Sequence, residues 1–123
     1  MPYCDREIAK KRTKGTYIAT RTNLMWANED NDSGITWLDA KKYCDAYRGG
    51  GYKDWRMPTL DELAKLYAVG AYKNKIRLTE SWIWASENRG SDAAYFDFSS
   101  GERIWDVKSI NYLNRALPVR SIK

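Results

Sequence analysis

Two breaks close together in the middle of the chain decide what it can fold into. Gly49-Gly50-Gly51 ends any helix that reaches it, and Pro58 bars a helix from running through the next stretch. One long helix is therefore excluded, and the middle of the chain must be two short helices around a tight connector. The first opens at Thr36, whose hydroxyl suits an N-cap, with Asp39 three residues on as a variant of the capping box. Trp37, Ala40, Tyr43, Cys44 and Tyr47 then fall on one helical face. The second opens at Thr59. Thr59-Leu60-Asp61-Glu62 is a full capping box, and both acids suit the positive end of the helix dipole. Leu60, Leu63, Ala64 and Tyr67 form its predicted buried stripe, and Gly70 is its predicted stop.

Strands flank this helical middle. Tyr17–Thr20 and Asn23–Ala27 carry strand-forming residues on either side of Arg21-Thr22, and an acidic, turn-rich loop follows over 28–34. Beyond residue 80 the period changes to two. Trp82-Ile83-Trp84-Ala85-Ser86 reads as a buried strand, and Ala94, Phe96 and Phe98 alternate with Tyr95 and Asp97. Ser99-Ser100-Gly101 turns the chain, Arg103–Val107 runs back as a hairpin, and Ala116–Ser121 is a last strand. The layout predicts an α+β domain over residues 16–123, preceded by a basic arm over 1–15. A chain of 123 residues is one domain's worth and can hold a core of its own.

Composition removes whole classes of chemistry. The chain has no histidine, which excludes Ser-His-Asp and Cys-His catalysis and imidazole metal sites. No apolar run is long enough to span a membrane. The N-terminal stretch is charged and lacks an apolar export core, so the expectation is a cytoplasmic protein or one whose export signal is absent from this sequence. The net charge is +5, and Lys10, Lys11, Arg12 and Lys14 form the sharpest basic cluster, a candidate polyanion-binding tail. No nucleic-acid-binding signature is present, and nucleic acid is not an expected partner. Six Trp and nine Tyr favour a surface that stacks on partners as well as a core.

Three segments, in order, resemble the Lcl C-terminal domain family of bacteria. The first is Asn23-Leu24-Met25-Trp26. The second and longest runs through Thr36-Trp37, Ala40, Tyr43-Cys44, Gly50-Gly51-Tyr52, Asp54-Trp55-Arg56-Met57-Pro58-Thr59 and Glu62-Leu63. The third is Trp84-Ala85-Ser86 with Pro118-Val119-Arg120. The resemblance extends from Tyr17 to Arg120. It implies a C-type-lectin-like fold with two helices and a strand-rich C-terminal half. It also implies an exported domain at a periplasmic or cell-surface location, with adhesion or display as its role. One relative of this kind is the C-terminal domain of a collagen-like adhesin that binds sulfated glycosaminoglycans. Two positions depart from the family pattern: Asn23 stands in place of a glycine, and Pro118 in place of a cysteine that many members carry.

The expected function is a non-catalytic recognition module for a glycan, sulfated or otherwise anionic, with a surface protein as the alternative partner. No cofactor or metal is expected. The expected binding residues lie in the second half: Trp84, Arg89, Tyr95, Arg103, Trp105, Lys108, Tyr112 and Arg115. Aromatic faces stack on sugars, and Arg pairs bidentately with sulfate or carboxylate. Trp37, Tyr52, Asp54, Trp55, Arg56, Pro58, Thr59 and Glu62 are expected to be structural, with Arg56 paired to Asp54 or Glu62. Asn28, Asp30 and Asp32 have the spacing of a calcium loop, but the glycine is one place late and Asp39 falls in a helix. Carboxylate pairs such as Asp97 and Asp106 on opposing hairpin strands are candidates for an acid/base couple, with charged residues on the wet face of a hairpin as the ordinary explanation. Cys4 and Cys44 either form one disulfide or leave Cys44 as a buried free thiol; Cys4 is alternatively the remnant of a lipid attachment site.

Overall fold

The computed structural model describes residues 16–19, 22–70 and 72–122. The basic cluster at Lys10, Lys11, Arg12 and Lys14, and Cys4 with its proposed disulfide, lie outside them. The chain opens with strands β1 (Thr16–Ala19) and β2 (Leu24–Ala27), followed by helix α1 (Trp37–Ala46) and a 3-10 turn at Gly49–Gly51. Helix α2 (Leu60–Val69), a single turn α3 (Tyr72–Lys75), and strands β3 (Trp82–Arg89), β4 (Asp92–Asp97), β5 (Glu102–Val107) and β6 (Val119–Ser121) complete it. The fold is α+β, with two antiparallel sheets of order β1-β2-β6 and β3-β4-β5.

The first sheet joins the two ends of the described chain. β1 pairs with one side of β2 (Tyr17 opposite Trp26) and β6 with the other (Met25 opposite Arg120). Asn23 turns the first hairpin with φ of 57°, a conformation that Asn tolerates better than most residues. Arg56 exchanges two backbone hydrogen bonds with Val119, so the connector after the triple glycine is stitched onto β6.

Both helices start as their residues dictate. Thr36 caps α1 by accepting from the Asp39 amide. At α2 the Thr59 hydroxyl accepts from the Glu62 amide while the Glu62 carboxylate accepts from the Thr59 amide, and Gly70 closes the helix in the left-handed region. The buried face of α2 is Leu60, Leu63 and Leu66; Ala64 and Tyr67 only flank it. Two further differences concern length. The last strand pairs only over Val119–Ser121, because residues 116–118 hydrogen-bond to Asn31 and Ala27 instead. The helical turn α3 is an addition to the expected layout; its four residues are too few to leave a periodic signature.

The β3–β4 part of the second sheet is buried on both faces, while the edge strand β5 holds no buried residue. Ile83, Ala85, Ala94 and Phe96 pack with Leu63, Leu66 and Trp26. Trp84, Ala93 and Tyr95 pack on the opposite side with Trp37, Ala40, Cys44 and Met57. That sandwich explains why β4 holds four consecutive buried residues rather than a strict alternation. The β3–β4 register shifts between Trp84 and Asn88. There Ser86 donates its amide to the Pro58 carbonyl, and the Glu87 carboxylate accepts the Leu60 amide, so the irregularity seats the start of α2.

Candidate ligand-binding site

Three of the eight expected binding residues lie toward one end of the second sheet, two of them in contact. Arg89 ends β3 just before the Gly90-Ser91 turn, and β5 brings Trp105 alongside. The Arg89 guanidinium lies 3.7 Å from the centre of the Trp105 ring, which is 37% exposed. Lys108 follows β5 and donates its amide to Ser91 in the same turn. Its Nζ reaches Asn88 Oδ1 at 3.1 Å and stands 4.7 Å over the Trp37 ring. Arg103, two residues before Trp105 on the same face of β5, pairs with Asp61 at 2.9 Å. The stacked guanidinium and indole therefore lie on the α2-side face of this end of the sheet, and the Lys108 ammonium lies on the α1-side face, over Trp37.

The remaining expected residues lie elsewhere, for clear physical reasons. Trp84 is fully buried, and its indole N–H donates to the Ile35 carbonyl. Tyr95 is buried too, stacked on Trp82 with ring centres 5.0 Å apart. Neither ring offers a face to a ligand in solvent, which corrects their expected role. Arg115 is held by the Thr79 hydroxyl and the Leu113 carbonyl. Tyr112 is 73% exposed but sits on the loop after β5, while Asn114 in the same stretch is buried.

A groove opens beside the tip, between α1, the 56–59 connector, the start of α2 and the irregular part of β3. Its volume is about 370 Å³, and Trp37, Met57, Asn88 and the pairs Lys41–Asp45 and Arg56–Glu62 line it. That is small-molecule size, at the lower end of the roughly 300–1,000 Å³ common for such sites. Sequence reasoning treated Trp37, Arg56 and Glu62 as structural, and nothing in their spacing signals a shared groove, which depends on the register shift in β3.

The motif residues are tied to one another. Arg56 Nη1 and Nη2 each donate to Glu62 at 2.7 Å, and Arg56 also donates to Ser121 Oγ. Burial pushes the Glu62 carboxyl up, but hydrogen bonds from Arg56 and Thr59 outweigh it and hold the group below its ordinary range. The hydrogen bond to Glu62 raises Arg56 in turn. Asp54 acts on Arg56 through its charge, which adds to the effect of Glu62. Asp54 also receives Arg120, with Nε at 2.6 Å, and the Arg120 guanidinium stacks 3.7 Å over Tyr52. Trp55 is buried and donates its indole N–H to the Gly49 carbonyl. Pro58 is buried, and Thr59 forms the helix cap.

Register separates the two hairpin carboxylates. Asp97 stands opposite Glu102 and Asp106 opposite Ala93, so they do not form the acid/base couple that facing positions would allow. Burial raises the Asp97 carboxyl, yet hydrogen bonds from Ser99 and its neighbours bring it below its ordinary value. In the acidic loop the Asp30 carboxylate accepts from the Thr79 amide and hydroxyl and from the Asp32 amide. Among the described residues, no group of three or more Cys, Asp or Glu is arranged to hold a metal ion. Cys44 is a free, fully buried thiol, and burial pushes its ionisation far up.

This geometry sits on a sequence with a family. The profile of the Lcl C-terminal domain matches residues 15–120. The chain belongs to the Lcl C-terminal domain family. The match runs from β1 into β6 and ends one residue before that strand does. No curated protein matches the chain. In this Lcl C-terminal domain the family-like segment from Thr36 to Leu63 builds α1, the connector and the start of α2, and thereby one wall of the groove. No helix among the described residues is long and apolar enough to cross a membrane.

Proposed function

We propose that this domain is a non-catalytic recognition module of C-type-lectin-like fold that binds a glycan carrying anionic groups, in an exported, surface-associated protein. The reading rests above all on the exposed stack of Arg89 on Trp105 near the β3–β4 tip, with Lys108 over Trp37 beside the groove on the other face. A stacked indole and guanidinium offer an apolar platform for a sugar ring and a forked donor for a sulfate or carboxylate. Lys108 adds a point charge at the mouth of the groove, where Asn88 supplies an amide suited to hydroxyl groups. Side-by-side pairing of the first and last strands with β2 supports the lectin-like architecture.

The test is retention on an immobilised sulfated glycan across a salt gradient. Wild type is compared with Arg89→Ala/Lys108→Ala, with Trp105→Ala, and with Lys10/Lys11/Arg12/Lys14→Ala. The proposal expects retention past physiological salt that both hairpin-tip variants lower at least tenfold in affinity. Loss with the N-terminal set alone reassigns binding to generic polyanion attraction. No retention at low salt overturns the glycan reading.

A protein-binding display module is the second reading. Exposed apolar side chains outside the groove favour it: Tyr112 at 73% and Leu38 at 54%. It predicts partner capture that soluble glycan does not compete away.

A further inference from the structure

The charge of the domain is concentrated away from the hairpin tip. Residues 16–122 hold fifteen Lys and Arg and fourteen Asp and Glu. Four of the cations (Lys65, Lys73, Lys75 and Arg77) and none of the acids fall within 63–79, the stretch that forms most of α2, all of α3 and the turn after it. The other residues of 16–122 are net acidic.

These cations are all exposed, on α2, α3 and the turn that follows. Leu60, Leu63 and Leu66 face the core, which turns Lys65, Ala68 and Val69 outward. A crevice of about 420 Å³ joins Ala68 and Gly70 to Tyr72 and Lys73. A second, of about 370 Å³, continues from Tyr72 and Lys73 to Ile76 and Arg77. Among the described residues Lys65, Lys73 and Lys75 have no acidic partner. Arg77 is partly countered, by Glu29 at 3.8 Å and Asp32 at 3.9 Å. The apex between Lys65 and Lys73 is apolar: Val69 is 45% exposed, and Ala68 beside it is exposed.

We propose that this α2–α3 corner docks on an anionic lipid surface, with Lys65, Lys73 and Lys75 over the headgroups and Val69 at the headgroup–acyl boundary. Charge complementarity selects the partner. The stretch 63–79 holds four cations and no acid, which draws it toward a negative plane. The apolar apex decides between a lipid surface and a soluble polyanion. A polymer gains nothing from Val69, whereas an interface takes both the ring of cations and the aliphatic tip.

The test is co-sedimentation of the full chain with phosphatidylcholine vesicles, with and without about one-third phosphatidylglycerol. Retention on dextran sulfate is run in parallel. Wild type is expected to partition onto the anionic vesicles only. Each lysine near the surface contributes roughly fivefold, so Lys65/Lys73/Lys75→Ala is expected to lower partitioning by about 100-fold. Val69→Ser is expected to lower it several-fold while leaving dextran sulfate retention unchanged. Arg89→Ala/Lys108→Ala should leave vesicle binding intact, which separates this corner from the hairpin tip. The proposal is overturned if the triple variant sediments like wild type, or if only Lys10/Lys11/Arg12/Lys14→Ala abolishes binding. It is equally overturned if the triple variant weakens dextran sulfate and vesicles alike and Val69→Ser changes neither, the signature of a soluble polyanion site. Every substituted side chain at the corner is exposed, and unchanged thermal unfolding of each variant shows that the fold is intact.

Discussion

Trp37 and Trp84 are cross-tied. The Trp37 indole N–H donates to the carbonyl of Ala85, next to Trp84, and the Trp84 indole N–H donates to Ile35, two residues before Trp37, both at 2.8 Å. The first turn of α1 and the middle of β3 are thus fixed to each other by two indoles that are buried or nearly so. The β3–β4 register shifts just after Trp84, and Trp37 lines the groove, so the same cross-tie joins two of its walls.

Breaking one tie should loosen the other. Trp84→Phe keeps a ring in the core but removes the donor and leaves a buried carbonyl unpaired, an expected loss of about 2 kcal/mol. Trp37→Phe should cost a similar amount. The double variant should lose less than the sum, as contacting pairs do. Urea unfolding of the three proteins gives the coupling; strict additivity would show that the two ties act independently.

The Glu62 contribution has a defined pH window. Its carboxyl is held below the ordinary value of 4.5, so its stabilisation is fully present above that pH. It is lost as pH falls through the lower folded value, where the group takes up its proton. Glu62→Gln removes the charge from Arg56 and weakens the α2 cap, at an expected cost of about 2 kcal/mol near neutrality. The gap to wild type should narrow as pH drops below 4.5. Thermal unfolding across pH reads this directly, and a gap that widens toward acid would contradict the assignment.

Gly34 has no room for a side chain. A Cβ there would fall on the Asn111 carbonyl oxygen and within 2.8 Å of Tyr112 Cα, both backbone atoms. Gly34→Ala is expected to cost more than about 3 kcal/mol, because the 109–114 loop would have to lift from the start of α1. At Gly90 the only obstacle is φ of 54°, with open space around the position. Gly90→Ala should cost about 1 kcal/mol. Equal melting temperatures for the two variants would refute the packing argument.

Cys44 should be chemically silent in the folded protein. It is fully buried, and burial keeps it protonated at any physiological pH. In a Cys4→Ser background, a thiol reagent should label Cys44 only as fast as the protein unfolds, with full labelling in denaturant. Rapid native labelling at pH 8 would show that α1 opens locally.

Much of this fold is legible in the residues, because caps and breakers act locally. Thr36, Thr59, Gly70 and the triple glycine each fix their own turn, so both main helices can be read from one stretch of sequence. Asn23 and Ser99-Ser100-Gly101 do the same for two turns. The partners of charged groups are less legible. Arg120 meets Asp54 from 66 residues away, and no local rule points to it. The aromatic residues of the second half misled for a related reason. Trp84 and Tyr95 alternate as the outward face of a one-sided sheet would, but this part of the sheet is covered on both sides. Arg89 escapes that cover because it ends β3, and Trp105 because β5 is the exposed edge strand.

The seat of β6 beside β2 has a consequence for how the domain is made. Ala116, Leu117, Val119 and Arg120 are all buried, and Leu117 and Val119 complete the core that α2 and β2 begin. Until the ribosome has released that segment, β2 lacks a neighbour on one side and the core stays open. The domain must therefore close like a clasp, after synthesis of its last strand rather than along the way, and any factor that holds the nascent chain unfolded has until then to act.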